Sequence, residues 1–220
     1  VPPLTTGNVP VTRVTGTLPV VNGGTGSTTQ NFVDLTTDQT VAGNKTFGSD
    51  INVNGMTVGR GKFNENSNTA IGLGALESNE SYANTGIGRA ALAANVNGNA
   101  NTALGYTALS NNISGAGNVS VGSAALQTNI SGSDNTALGY GSLNINTTGN
   151  GMTAIGSGSG VGSDGQTDGT AIGRGAIVSA SNATAIGAWA VASANNTIQL
   201  GNTNVTAVNT SGTVTATSFV

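Results

Sequence analysis

Residues 101–109 read NTALGYTAL, and variants of this phrase occur nine times between residues 68 and 202. Each copy contains an anchor, a large aliphatic residue that is followed directly by glycine. The nine anchors are Ile71, Ile87, Leu104, Val121, Leu138, Ile155, Ile172, Ile186 and Leu200. Their spacings are 16, then 17 five times, then 14 twice. A short fixed period indicates a solenoid in which each repeat forms one coil. Coils of 14–17 residues are too short for helical hairpins, so we expect strands and turns.

A second small–large pair usually follows the anchor pair five residues later, as Ala108-Leu109 follows Ala103-Leu104. Adjacent strand residues point to opposite faces, so both faces of these strands should be apolar. We expect one residue of each pair to fill the coil and the other to pack against a neighbouring chain. The alternative is a wide monomeric β-helix. The oligomer is favoured because such small residues enclose little apolar volume within one chain.

Glycine and asparagine have predictable places in this repeat. Glycine after each anchor should relieve a corner, because a positive φ is least costly for glycine. Asparagine recurs between the pairs, where it tolerates left-handed geometry, and stacked identical asparagines can ladder along the axis. Residues 156–165 lack the second pair. We expect that rung to be loosened where the period changes from 17 to 14.

Composition excludes several classes of function. The chain of 220 residues has 35 glycines and no cysteine or histidine, which excludes disulfides, a thiolate nucleophile, histidine metal sites and a Ser-His-Asp triad. The net charge is −3, and the six basic residues are scattered, so no nucleic-acid footprint is present. No apolar run approaches 18 residues, so we predict no membrane insertion.

Acidic residues offer little basis for catalysis or metal binding. The only glutamates are Glu65, Glu77 and Glu80, and the last two are too close in sequence to act as paired carboxylates across a substrate. We therefore expect no enzyme and no cofactor. Asp164 and Asp168 lie in a glycine-rich loop that could offer oxygen ligands to Ca²⁺. They lack the nonapeptide spacing of calcium-binding β-rolls, so a solvated turn is favoured and no metal is predicted.

The residue after each anchor glycine should lie at the outer edge of the coil, in what we call the edge column. It comprises Leu73, Arg89, Tyr106, Ser123, Tyr140, Ser157, Arg174, Ala188 and Asn202. Aromatic residues and arginine are favoured in binding patches. The candidate binding residues are therefore Arg89, Tyr106, Tyr140, Arg174 and the single tryptophan, Trp189. The alternatives are that the tyrosines cover a rim between chains and that Trp189 packs at a subunit seam.

Three stretches resemble known fibre proteins. Residues 18–26, LPVVNGGTG, resemble a phrase common in phage tail fibres. Residues 34–61 look like a segment that precedes such repeats in fibre and surface proteins of the Bacteroidetes group and their phages. The TAIG phrases at residues 170–173 and 184–187 resemble the head of YadA-type trimeric autotransporter adhesins. That resemblance implies a left-handed parallel β-roll packed as a trimer, although the stalk, anchor and neck sequence of that family are missing. Residues 196–216 also look like the segment before the self-cleaving chaperone of many phage fibres.

The sequence thus predicts an all-β fold, a trimeric parallel β-roll or β-solenoid of nine rungs after a short β-rich neck. We expect an extended linker over residues 1–30, a hairpin-rich neck over 31–67, the repeat domain over 68–202 and a C-terminal β segment over 203–220 that leads into an absent downstream part.

The expected function is a homotrimeric, extracellular attachment module of a tail fibre or surface adhesin. Its partners would be a cell-surface glycan or protein receptor and other fibre or baseplate segments. The alternatives are a passive shaft and an ice- or glycan-binding repeat protein. Ice binding fits poorly, because threonines such as Thr102 and Thr136 occur once per rung and form no Thr-x-Thr lattice.

Overall fold

In a computed structural model of the chain, the structure describes residues 47–63 and 65–205. The predicted linker over 1–30, the first part of the neck and most of the C-terminal segment lie outside the described residues. The described part is all-β, with fourteen strands and no helix. The all-β prediction is therefore confirmed.

The strands are short and follow the repeat. They are β1 (Ile51–Val53), β2 (Met56–Gly59), β3 (Thr69–Ile71), β4 (Thr85–Ile87), β5 (Thr102–Leu104), β6 (Val119–Val121), β7 (Thr136–Leu138), β8 (Thr153–Ile155), β9 (Gly160–Val161), β10 (Thr170–Ile172), β11 (Ile177–Val178), β12 (Thr184–Ile186), β13 (Val191–Ala192) and β14 (Ile198–Leu200). One sheet has the order β1-β2-β3-β4-β5-β6-β7-β8-β10-β12-β14, and a second has the order β13-β11-β9.

Nine of these strands end on an anchor and pair in parallel, with each anchor opposite the next. In β5 and β6, for example, Leu104 is opposite Val121 and Ala103 is opposite Ser120. The molecule is therefore a parallel β-solenoid with the predicted register. At about 4.8 Å per rung, the stack is roughly 40 Å long.

An antiparallel hairpin begins the described sheet. β1 pairs with β2 around Asn54 and Gly55, whose φ angles are 51° and 83°. Positive φ at both turn residues is the geometry of a tight hairpin turn, which Asn-Gly favours. β2 then pairs antiparallel with β3, so the hairpin expected from Asn-Gly is confirmed and covers the first edge of the solenoid.

The anchor strands alternate as expected. The alanine before the anchor is buried, as Ala103 and Ala137 show, whereas the anchor points outward. Six anchors keep 36–46% of their side chain exposed: Leu104, Leu138, Ile155, Ile172, Ile186 and Leu200. We call the outward column of anchors the anchor stripe.

The second pair behaves as predicted only in the 14-residue coils. There Ala190 is buried and Val191 is half exposed. In the longer coils both members are buried, as for Ala108 and Leu109, and the segment is a turn. Leu109 has a φ of 52°, which turns both side chains inward. The left-handed conformation costs about 1–2 kcal/mol, which burial of a leucine, worth about 1.5–3 kcal/mol, offsets. The expected outward member is therefore wrong for these coils.

The rung at residues 156–165 is not loosened. Its Gly160 and Val161 form β9, which starts the second sheet. Gly160 N donates to Ala176 O at 2.9 Å, and Gly162 N donates to Val178 O at 2.8 Å. A strand therefore replaces the turn in the last 17-residue coil, one coil before the period changes, and the backbone stays paired at this point.

Two columns of buried asparagine side chains run through the longer coils. One comprises Asn68, Asn84, Asn101, Asn118 and Asn135, and the other Asn79, Asn95, Asn112, Asn129 and Asn146. In the first column Asn118 N donates to Asn101 Oδ1 at 2.9 Å, and Asn118 Nδ2 donates to Gly132 O at 2.8 Å. The expected ladder is confirmed, but it lies inside the coil. The left-handed positions of the longer coils are taken by residues such as Ala100, Thr107 and Leu109.

Candidate binding edge beside the glycine column

The glycine after each anchor forms a column that admits no side chain. Gly105 has a φ of 143°, and a Cβ atom there would lie 2.5 Å from Gly122 O of the next rung. Both the backbone conformation and the close approach of the next rung require glycine. The predicted corner is therefore confirmed, and the next residue is directed outward.

The edge column is exposed at the positions proposed for binding. Arg89, Tyr106, Tyr140 and Arg174 are all exposed, and Tyr140 is the most open of the tyrosines, at 68%. Tyr106 and Tyr140 stand two rungs apart, which corresponds to about 10 Å along the stack. The edge thus presents a spaced row of planar side chains.

Four of the five candidates form two stacked pairs across neighbouring rungs. The Arg89 guanidinium lies 5.6 Å from the centroid of the Tyr106 ring, and its Nη1 donates to Tyr106 Oη at 3.3 Å. The Arg174 guanidinium lies 5.2 Å from the centroid of the Trp189 ring. Exposed cation–π pairs of this kind contribute about 0.5–1 kcal/mol each. These pairs hold the side chains in place before any ligand arrives.

Trp189 lies one residue beyond the edge column, so its position differs from that of the arginines and tyrosines. Its φ is 58° and its side chain is 55% exposed. A Cβ atom at Gly175 would collide with Cε3 and Cζ3 of the indole. The ring therefore rests on the backbone of the preceding rung, and glycine at position 175 makes that contact possible.

Asp164 lies in an exposed turn, as the sequence indicated, and its carboxylate also binds the neighbouring loop. Its carboxylate accepts hydrogen bonds from the backbone N–H groups of Thr147, at 2.6 Å, and Thr148, at 3.0 Å, and from both threonine hydroxyls. Burial opposes ionisation, but these bonds and one from the Gly165 backbone outweigh it and hold the pKa of Asp164 well below its usual range. The carboxylate thus ties the loop at Thr147 and Thr148 to the loop of the next coil.

The described residues contain no group of three or more acidic side chains placed to share a metal ion. A cleft of about 470 Å³ brings together Asp50, Lys62 and Glu77 beside the hairpin. Asp50 is occupied there, because its two carboxylate oxygens accept from Arg60 N at 2.7 Å and Gly61 N at 2.8 Å. It therefore links the two ends of the hairpin.

A second outward apolar column, which we call the loop stripe, lies on the loops and was not among the sequence predictions. It comprises Val96, Ile113 and Ile130, each nine residues after an anchor. Ile113 and Ile130 are each 45% exposed. Val96 N donates to Ile113 O at 3.1 Å, and Ile113 N donates to Ile130 O at 2.9 Å, so the stripe follows the stack. The repeated spacing was the available signal.

No protein-family model matches this chain, and no curated protein matches it significantly. Across the described ranges, no helix is long and apolar enough to cross a membrane. Function must therefore be inferred from the surfaces of the solenoid, chiefly the anchor stripe and the edge column.

Proposed function

We propose that the chain is part of a trimeric, extracellular fibre, a tail fibre or surface adhesin, that attaches to a target cell surface. The observation that carries this proposal is the anchor stripe. Its aliphatic side chains form an unbroken outward ladder along the stack, with six of them 36–46% exposed. Extended apolar patches of this kind mark interaction surfaces in soluble proteins.

The size of the stripe supports association with other copies. Complete burial of a large aliphatic side chain is worth about 1.5–3 kcal/mol, so covering the exposed fraction of six anchors would contribute roughly 4–7 kcal/mol per chain. Association costs about 4–15 kcal/mol, which is of the same order as the contribution from three chains.

Two further features favour a ring of three. Contacts in a cyclic trimer join two different surfaces of the chain, and the loop stripe offers a second apolar surface in addition to the anchor stripe. The number three itself rests on the resemblance of residues 170–173 and 184–187 to the heads of trimeric adhesins.

Attachment is supported by the edge column. In a fibre with several copies of the row, each exposed arginine or tyrosine would be presented more than once. Linked weak contacts can raise overall affinity by factors of about 10²–10⁴. A glycan or protein receptor carrying repeated units would suit such a row.

Binding of the isolated oligomer to a glycan array and to whole cells tests the attachment. Tyr106→Ala and Tyr140→Ala should each weaken binding at least tenfold, whereas Ser157→Ala, at an exposed position of the same column, should leave it unchanged. If both tyrosine variants bind like the parent, the edge column is not the site.

A passive shaft is the second candidate, and the near-identical, in-register rungs favour it. An isolated oligomer that binds neither glycans nor cells would favour the shaft over the attachment module.

A further inference from the structure

We propose that the cleft beside Trp189 binds a neutral sugar ring through indole stacking and amide hydrogen bonds. The Trp189 cleft is lined by Trp189, Val191, Gln199, Asn202, Thr203 and Asn204 and has a volume of about 410 Å³. Small-ligand sites typically span about 300–1,000 Å³. This inference deepens the proposed attachment function, on which it rests for the biological source of the sugar.

Trp189 is a large residue at a repeat position where the other rungs have small residues, so the fold does not require a tryptophan there. The equivalent positions of the seven preceding rungs are all small and all have positive φ: Gly74, Ala90, Thr107, Ala124, Gly141, Gly158 and Gly175. A bulky aromatic residue in the left-handed region is uncommon, because its Cβ atom approaches the following carbonyl oxygen. Strained residues of this kind concentrate at functional sites.

The indole is held on one side and borders the cleft on the other. Arg174 and Gly175, both of the preceding rung, cover one face. The cleft is built by Asn202, Thr203 and Asn204 of the following rung. A ligand ring in the cleft would therefore meet the part of the indole that Arg174 and Gly175 leave exposed, in a residue that is 55% exposed.

Gln199 is a second departure from the repeat at the same place. It lies in β14 opposite Ala185, in the register position that is alanine, glycine or serine in every other anchor strand. Its Nε2 donates to Gly201 O at 2.9 Å. The bond orients the amide, and among the described residues its second Nε2 proton and Oε1 make no other hydrogen bond.

Asn202 and Asn204 add further oriented polar groups. Asn202 Nδ2 donates to Ala188 O at 3.1 Å, and Asn202 Oδ1 accepts from Asn204 N at 2.9 Å. Within the described part of the chain, the Asn204 side chain makes no hydrogen bond that would be lost on ligand binding. The cleft thus combines the hydrogen-bonded amides of Gln199 and Asn202 with the Asn204 amide, which can adapt to a ligand.

This chemistry fits a neutral sugar. The electron-rich face of an indole attracts the weakly positive C–H groups of a sugar face, while amide groups can donate to and accept from hydroxyls. None of the described residues that line the cleft carries a charge, so these residues offer no partner for a carboxylate or an ammonium group. An uncharged ring with one apolar face is the matching ligand class.

The test uses the full chain and its own fluorescence, because Trp189 is the only tryptophan. Glucose, galactose, mannose and N-acetylglucosamine are titrated separately, with glucuronic acid and sialic acid as anionic comparisons. At least one neutral sugar should change the emission saturably. Asn204→Ala should weaken that binding at least fivefold, whereas Asn111→Ala, at an exposed asparagine of a distant rung, should not.

Each result decides the proposal. No saturable change with any neutral sugar, tighter binding of the anionic sugars, or equal affinity in Asn204→Ala would overturn it. Failure of the attachment function is distinguishable: sugar binding without attachment to cells would leave the cleft in place and refute attachment. Attachment to cells without any fluorescence response to sugars would support the attachment function and refute the sugar site at the Trp189 cleft.

Discussion

Replacement of Asn118 by alanine should destabilise the solenoid strongly, although the side chain carries no charge. The side chain is fully buried. Its Nδ2 donates to Gly132 O at 2.8 Å and Asn101 Oδ1 at 3.1 Å, and its Oδ1 accepts from Asn135 N and Asn135 Nδ2, both at 3.0 Å. One side chain therefore links three successive rungs.

The expected loss of stability depends on which polar groups would have no hydrogen-bond partner after the substitution. Gly132 O still accepts from Asn129 Nδ2, and Asn135 Nδ2 still donates to Gly149 O. Asn135 N–H is left without an acceptor, which costs about 1–3 kcal/mol. A cavity of roughly 50 Å³ adds about 1 kcal/mol. The free energy of unfolding should therefore fall by about 2–4 kcal/mol.

The assay is urea unfolding followed by circular dichroism, with Asn111→Ala as the matched control in an exposed position of the neighbouring coil. The control should stay within about 0.5 kcal/mol of the parent, as surface substitutions usually do. If Asn118→Ala is no less stable than Asn111→Ala, the ladder does not contribute to stability and the reasoning is refuted.

Three other predictions follow from the same structure. Gly105→Ala should abolish folding or lower the unfolding midpoint strongly. Gly158→Ala should be much milder, because Gly158 has a positive φ but open space around it. Equal effects would show that the next rung does not exclude a side chain from the glycine column. Asp164→Asn should remove a stabilisation that the parent has above pH 4 and loses as pH falls, because the folded-state pKa of Asp164 is lowered; acid titrations of unfolding that superimpose would contradict this. Leu138→Asp should dissociate the oligomer without loss of β structure by circular dichroism, because the side chain faces outward; an unchanged native mass would remove the anchor stripe as the interface.

Features that depend on local periodicity could be predicted from the sequence. Ala103 and Leu104 are adjacent in a strand, so their opposite directions follow from strand geometry alone. Gly105 follows at a corner with positive φ, which only glycine adopts at low cost. The outward position of Tyr106 then follows directly, and so does the meeting of Arg89 with a tyrosine one rung away.

Features that depend on how a coil closes could not be predicted. Leu109 looks like Ile177 in the sequence pattern, yet it is buried in a left-handed turn, whereas Ile177 lies in a strand. Coil length alone does not decide this difference, because the last 17-residue coil has strand β9 at the same place. The ladder of Asn112 and Asn118 was expected from the repeat, but its burial inside the coil was not.

The candidate site shows the same division. The edge column was predictable because its members share a fixed offset from the anchors. The stacking of Trp189 on Gly175 and its closeness to Asn202 join residues of successive rungs at different offsets. Such contacts depend on side-chain direction at the end of the repeat, which periodicity does not specify.

The central claim is that the anchor stripe is covered by other copies of this chain. Light scattering on residues 1–220 tests it most directly. The account predicts a native mass three times that of the 21.3 kDa chain. A well-folded species with the mass of one chain would contradict it, because the anchors would then remain in water.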